Sequence, residues 1–180
     1  MQPSREHGFG CACCSTPLAR RRLFGLALAA TVLTETRPGR AAEGNYEAML
    51  LSCIDPRIVT PVYDWMNGRG LQGRYSQFVI AGAAVAVVAP AFAAWRVAFW
   101  DNLATSVELH RISRLIIVDH RDCGAARIAY GETALATPEA ETKLHREVTA
   151  SLSAEVAKRM PKLQVECGLM ALDGSMMMFG

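Results

Sequence analysis

Two short polar clusters, far apart in the sequence, contain residue types that bind transition metals. The first cluster reads Cys53-Ile54-Asp55-Pro56-Arg57, and the second reads His120-Arg121-Asp122-Cys123-Gly124. Together they supply two thiols and an imidazole, a ligand set that leaves one position of a tetrahedral zinc ion open. Structural zinc sites normally close all four positions with Cys or His. We therefore predict a catalytic zinc site with Cys53, His120 and Cys123 as its ligands.

The open position determines what such a zinc ion could do. It binds water and lowers the pKa of that water to about 7, so hydroxide becomes available at neutral pH to attack an electrophilic carbon. The alternative is a pair of packed thiols and a hydrogen-bonded histidine without metal. Neither cluster alone is specific for a metal site. The metal site is favoured because both clusters occur in this order and each follows an apolar run.

Asp55 and Arg57 follow Cys53 at alternate positions, from which both side chains can lie beside the metal. An arginine can hold a carboxylate through two parallel hydrogen bonds. Held in this way, Asp55 could accept the proton of zinc-bound hydroxide and orient the oxygen towards the substrate. If Arg57 released it, Asp55 could become the fourth zinc ligand and close the site, and we expect pH to control this change. We predict catalytic roles for both residues.

The elements that must position these clusters follow from the apolar runs before them. Residues 49–51 and 115–118 are typical of buried parallel strands, and open α/β sheets place their active sites at the carboxyl ends of such strands. Strands and helices alternate along the chain, which predicts an α/β fold. We expect a mainly parallel β-sheet flanked by helices, with an antiparallel edge strand at the C-terminus.

Turn residues and apolar patterns predict the bounds of the elements. The predicted strands are 49–52, 77–81, 115–118 and 163–172, followed after a turn at Asp173-Gly174 by a last strand at 175–179. The predicted helices are 58–67, interrupted by Pro61, a short helix from Gly124, and 138–160. We interpret His145 on the last helix, and His110, as surface residues, and we expect Asp122 to orient the His120 loop.

The segment 83–111 is helical in composition, with a break or kink expected at Pro90. Its first part, 83–100, combines Phe and Trp with Ala and Val and carries one charge, Arg96. This composition favours helix packing, with the lining of an apolar channel as the alternative.

The first 41 residues differ in composition from the rest of the chain. They contain six of the 19 basic residues and two of the 17 acidic ones, so residues 42–180 carry a formal charge of −2 although the whole chain carries +2. No basic stripe remains in residues 42–180, so we expect no nucleic acid partner. The length of 180 residues and the apolar content of 51% suffice for the core of one domain.

An export signal explains this asymmetry. Arg20-Arg21-Arg22-Leu23-Phe24 opens an apolar run, 23–33, which is too short for an ordinary transmembrane helix and resembles the core of a twin-arginine signal. We expect 1–41 to be the signal peptide and 42–180 the mature zinc domain, periplasmic or secreted and without a stable membrane span. If the N-terminus is not processed, it is a disordered arm or a docked helix of a cytoplasmic protein.

The remaining cysteines are outside the predicted metal site. Cys11, Cys13 and Cys14 would be removed with the signal peptide, and a metal site among them is the less favoured reading, since only His7 lies near them. Cys167 lies in a predicted strand, where we expect a buried small hydrophobic residue.

The pattern C-x-D-x-R followed by H-x-x-C resembles the β-class carbonic anhydrases. The resemblance covers about residues 46–180, because 106–118 is similar to that family's helix and third strand, and 163–174 to its closing strand and hairpin. It implies zinc ligation by Cys53, His120 and Cys123, with Asp55 and Arg57 as the gating pair. It also implies a homodimer or a higher homo-oligomer, in which 83–100 would form a subunit contact.

The activity that this resemblance implies is the reversible hydration of carbon dioxide to bicarbonate and a proton. Two departures from the family pattern surround the substrate channel: Val79-Ile80-Ala81-Gly82 stands in place of Arg-Asn-Ala-Gly, and Asp119 in place of a glycine before the ligand histidine. One alternative is therefore hydrolysis of carbon disulfide or carbonyl sulfide on the same zinc centre. Another is a non-catalytic zinc-binding or sensing module.

Overall fold

Five strands form one sheet in the computed structural model, which describes residues 46–180. The strands lie in the order β2-β1-β3-β4-β5, and every neighbouring pair is parallel except β4 and β5. They are β1 (Ala48–Ser52), β2 (Tyr75–Val79), β3 (Arg114–His120), β4 (Gln164–Met170) and β5 (Met176–Phe179). The prediction of a mainly parallel sheet with an antiparallel C-terminal edge strand is confirmed.

The two central strands are buried along almost their whole length. All five residues of β1 are buried, as are the last six of the seven in β3, because helices cover both faces of a parallel sheet. β2 lies at an edge and is partly exposed. Its predicted range, 77–81, is wrong by two residues, since pairing with β1 begins at Tyr75 and ends at Val79.

Within residues 46–180, five α-helices connect the strands. They are α1 (Val59–Gly68), α2 (Ala84–Val88), α3 (Arg96–His110), α4 (Gly124–Tyr130) and α5 (Pro138–Arg159). Pro61 does not interrupt α1 as predicted, because it lies in the first turn, where backbone amides have no partner within the helix. The predicted break at Pro90 is confirmed, since a short 3-10 helix (Pro90–Trp95) separates α2 from α3.

The long helix α5 begins where the sequence predicts. The Oγ1 atom of Thr137 accepts a hydrogen bond from the Ala140 amide at 3.2 Å, and Pro138 occupies the first turn. Its buried face packs against α2 and β4. His145 is on that face and is fully buried, so its interpretation as a surface residue is wrong.

The first part of the apolar segment 83–100 lies in the core, whereas much of the part after Ala89 is exposed. The residues from Ala84 to Val87 and the ring of Phe99 are buried, whereas Trp95 and Val97 are exposed. In the described part of the chain, no helix is both long and apolar enough to cross a membrane. The predicted signal peptide, 1–41, lies outside the described residues.

Candidate metal centre

The predicted ligands come from the carboxyl ends of β1 and β3 and from the start of α4. Cys53 directly follows β1, His120 is the last residue of β3, and Cys123 is the N-cap of α4. Because β1 and β3 are parallel neighbours, their carboxyl ends reach the same edge of the sheet. The Sγ atoms of the two cysteines and a ring nitrogen of His120 lie within 4.8 Å of one another, and all three residues are buried.

His120 has a ring nitrogen that is free to bind a metal. Its Nδ1 lies 2.8 Å from the carbonyl oxygen of Arg121. A carbonyl can only accept a hydrogen bond, so Nδ1 carries the proton and Nε2 carries the lone pair. Nε2 is buried and has no hydrogen-bond partner within residues 46–180. Metal-bound histidines are commonly oriented in this way, and the donor set therefore fits zinc.

The surroundings of the two sulfurs favour a thiolate at Cys53. Hydrogen bonding from the Cys123 thiol, aided by the Gly82 amide, outweighs burial and lowers the pKa of Cys53 to about 4. The Gly82 N–H lies 3.1 Å from Cys53 Sγ. The same interaction with Cys53, together with burial, raises the pKa of Cys123. The site therefore already stabilises one negative sulfur, as zinc ligation requires.

Asp55 and Arg57 form the bidentate pair that the sequence predicts. Arg57 Nη2 donates to Asp55 Oδ2 at 2.7 Å, Nε donates to Oδ1 at 3.0 Å, and the Arg57 amide donates to Oδ1 at 2.9 Å. These bonds lower the pKa of Asp55 to about 2. Asp55 Oδ2 lies 3.9 Å from Nε2 of His120. The structure thus brings this carboxylate beside the three candidate ligands.

Arg57 is also bound from the second cluster. Its Nη1 donates to Asp122 Oδ2 at 2.7 Å and its Nη2 to the Asp122 carbonyl oxygen at 3.0 Å. Arg127 donates to the other Asp122 oxygen at 2.8 Å. Asp122 thus contacts the arginine of the pair. Sequence reasoning missed this contact, because 65 residues separate the two partners.

Glu141 of α5 holds the loop between His120 and Cys123. Its Oε1 accepts the Asp122 amide at 2.6 Å, and its Oε2 accepts Arg121 Nη1 at 3.0 Å. This carboxylate is almost fully buried. The sequence contains no signal for this role, since Glu141 reads as one more polar residue in the first turn of an amphipathic helix.

Gly82 is required where the β2–α2 connection passes the site. Its φ of +87° lies in the left-handed region, and a Cβ atom there would be 2.8 Å from the Cβ of Ala125. The backbone of 82–84 can therefore pass close to α4 and bring the Gly82 amide to Cys53.

A family model described as "Putative carbonic anhydrase" matches residues 43–162, well over half of the chain. The chain belongs to this family. Its curated relatives include uncharacterized proteins of two Rickettsia species. The one from Rickettsia bellii is 32% identical over 126 residues, which are 70% of this chain and 77% of that protein. The one from Rickettsia conorii is 31% identical over 126 residues, 70% of this chain and 68% of that protein.

Solved structures of β-carbonic anhydrases have the same fold as this carbonic anhydrase family member. The β-carbonic anhydrase CafA of Aspergillus fumigatus superimposes with a TM-score of 0.53 at 18% identity and covers 76% of each chain. The carbonic anhydrase of Streptococcus mutans superimposes with a TM-score of 0.50 at 15% identity, over 77% of this chain and 84% of that one. At such identities the likeness concerns the fold alone.

Proposed function

We propose that this protein binds zinc through Cys53, His120 and Cys123 and catalyses the reversible hydration of carbon dioxide. The observation that carries the proposal is the convergence of two sulfurs and the unpartnered Nε2 of His120 beside a carboxylate held by Arg57. Membership in the carbonic anhydrase family supports the same activity.

In this proposal Asp55 orients the nucleophile. Zinc, when bound, lowers the pKa of a coordinated water to about 7 and so supplies a nucleophile at neutral pH. With its pKa lowered to about 2, Asp55 stays ionised and can only accept hydrogen bonds. It therefore accepts a hydrogen bond from the attacking oxygen and directs a lone pair of that oxygen to the carbon of the substrate.

The contacts of Arg57 keep Asp55 in this position. For Asp55 to become a fourth metal ligand, its oxygens would have to give up hydrogen bonds from Nε, Nη2 and the backbone amide of Arg57. Asp122 opposes this change, because it holds the same guanidinium from the other side. The observed arrangement therefore corresponds to the open, active form in this proposal.

Carbon disulfide or carbonyl sulfide is the second candidate substrate. It is favoured by the apolar residues Val79 and Ile80, which lie shortly before Gly82 at the place where similar enzymes have a polar pair. Release of sulfide from these gases, compared with the rate on carbon dioxide, would separate the two activities.

We also propose that the chain is exported through its twin-arginine-like N-terminus and acts as a homo-oligomer. The export part is supported by the charge asymmetry of residues 1–41. Expression in a bacterium with and without a functional twin-arginine pathway tests it, since a precursor of unchanged length and location in both would contradict export. Light scattering of the purified protein tests the oligomer, and a monomer would contradict it.

Stopped-flow carbon dioxide hydration by the zinc-loaded protein tests the proposed activity. We expect Asp55→Asn to lower kcat/KM by about 100-fold or more, which is the effect expected when a reacting group is no longer oriented. Cys123→Ser should lose both zinc and activity. Asp101→Asn, an exposed aspartate on α3, is the matched control and should behave like the wild type. Equal rates in the wild type, Asp55→Asn and Cys123→Ser would contradict the proposal.

A further inference from the structure

Behind the metal site lies a buried ionisable pair that the proposed reaction does not use. Asp119 of β3 and His145 of α5 have no exposed side-chain surface, and His145 Nδ1 lies 2.8 Å from Asp119 Oδ2. Nδ1 donates in this contact if the carboxylate is ionised. His145 Nε2 is buried and makes no hydrogen bond with any described residue.

Asp119 also binds the backbone segment that contacts Cys53. Its other oxygen, Oδ1, accepts a hydrogen bond from the Ala84 amide at 3.0 Å. Two residues earlier, the Gly82 amide donates to Cys53 Sγ at 3.1 Å. One short turn, 82–84, is therefore bound at one end to the buried carboxylate and at the other end to a candidate metal ligand.

The turn has a conformation that needs such support. Ala83 is fully buried and has φ 47° and ψ −111°, a backbone conformation that residues other than glycine rarely adopt. A backbone of this kind costs about 1–3 kcal/mol and persists only where its surroundings hold it. Backbone hydrogen bonds from Ala83 to Ile80 and from Val85 to Gly82 supply part of this support. The bond from the Ala84 amide to Asp119 holds the turn from outside.

We propose that the Asp119–His145 pair is a positioning element of the metal site, which fixes the turn 82–84 so that the Gly82 amide points at Cys53 Sγ. The inference rests on the proposed zinc binding. An apolar residue at position 119 would avoid the desolvation of a buried carboxylate, which costs several kcal/mol. It could not accept the Ala84 amide, however. His145 satisfies the second carboxylate oxygen.

The test uses a variant in which both partners become apolar, Asp119→Val together with His145→Leu. Replacing both members of a buried polar pair leaves no unpaired charge and is often nearly neutral for stability. We expect the variant to fold and to bind Zn²⁺ about 10- to 100-fold more weakly in competition with a chromophoric chelator. In the Co²⁺-loaded protein, the sulfur-to-metal charge-transfer band should move to longer wavelength, because a sulfur that loses a hydrogen bond donates more strongly.

Two single variants separate positioning from general packing. Thr149 is a buried residue one turn after His145, and its hydroxyl donates to the carbonyl oxygens of His145 and Arg146. Thr149→Val should therefore leave the zinc affinity and the cobalt band unchanged. Asp119→Asn retains an oxygen for the Ala84 amide and should stay close to the wild type. Wild-type affinity and an unshifted band in the double variant, or an equal shift in Thr149→Val, would overturn the proposal.

Two further results are informative. If the wild type binds neither ion, the proposed zinc site fails and this inference fails with it, whereas binding by the wild type and an unaffected double variant removes the inference alone. If the double variant does not fold, hydrogen exchange of the backbone amides in the wild type tests the proposal instead. Zinc removal should accelerate exchange at Gly82 and Ala84 together, and an unaffected Ala84 would contradict the proposal.

Discussion

The guanidinium group of Arg57 binds two carboxylates. Nε and Nη2 bind Asp55, while Nη1 binds Asp122 at 2.7 Å. Exposed ion pairs usually contribute less than about 1 kcal/mol, but a bidentate pair within a network has a defined geometry. Arg57 therefore contributes more to the orientation of Asp55 than to the stability of the fold.

Replacing this arginine should affect catalysis more than folding. In Arg57→Gln, Asp55 loses its bidentate partner and becomes free to approach the metal, so we expect kcat/KM to fall by about 100-fold. Zinc content should remain near one ion per chain. Steady-state hydration kinetics and metal analysis measure both quantities.

Arg127→Gln is the matched control for that experiment. Arg127 binds Asp122 at 2.8 Å and makes no contact with Asp55, so its loss should change kcat/KM by only a few-fold. The orienting role of Arg57 is refuted if the two arginine variants have equal activity.

At the scale of elements, α5 supports the metal site through two buried side chains. Glu141, in its first turn, binds the loop after His120, and His145, one turn later, binds Asp119 at the end of β3. The loop therefore depends on how α5 packs against the sheet.

Loss of Glu141 should destabilise the protein. In Glu141→Ala the Asp122 amide and the Arg121 guanidinium lose a largely buried partner, for which we expect a decrease of about 1–3 kcal/mol in the free energy of unfolding. Urea denaturation at neutral pH measures it. Glu147→Ala, on the exposed face of the same helix, should stay within about 0.5 kcal/mol. Equal effects of the two changes would contradict this role of Glu141.

The sequence predicts the elements well where one local pattern determines them. The apolar run of β3 and the proline and threonine that open α5 are such patterns. The edge strand β2 is less well predicted, because its pairing with β1, and not its own composition, sets its bounds. The motif residues converge as expected, since parallel strands end at one edge of the sheet.

Local sequence patterns do not predict contacts between side chains that are far apart in the sequence. His145 reads as one position of an amphipathic helix, and only the packing of α5 against the sheet shows that it meets Asp119. The bond between Arg57 and Asp122 likewise depends on two loops that meet in space. Such contacts follow from tertiary structure and have no local sequence pattern.

At the scale of the molecule, the two ends of the sheet have different roles. The metal candidates lie at the carboxyl ends of β1 and β3. Near the amino ends, Arg114 binds Glu47 at 2.6 Å and Glu166 at 3.1 Å, and Arg69 binds Glu166 at 2.7 Å. This ionic network joins β3, β4 and the chain before β1, so it contributes stability away from the site.

The network predicts how stability depends on pH. Burial would raise the pKa of Glu166, but hydrogen bonds from Arg69 and Arg114 outweigh burial and lower it. The pKa is lower in the folded state, so this contribution is fully present above the ordinary glutamate value of about 4.3 and is lost as the pH falls through the folded value.

Glu166→Gln should therefore reduce the free energy of unfolding by about 1–2 kcal/mol at neutral pH, with a smaller deficit at about pH 3. Urea denaturation at the two pH values measures the difference. Glu108→Gln, an exposed change on α3, serves as the control. A deficit that is the same at both pH values would contradict the assignment.

The most direct test of the whole account is X-ray absorption at the zinc edge of the full-length protein as isolated. We predict one zinc ion per chain with two sulfur ligands at about 2.3 Å and lighter ligands at about 2.0–2.1 Å. Cys53→Ser should remove a sulfur from this shell, while Cys167→Ser, a change of the buried cysteine outside the site, should leave it intact. A zinc ion without sulfur ligands, or a shell unchanged in Cys53→Ser, would contradict the central claim.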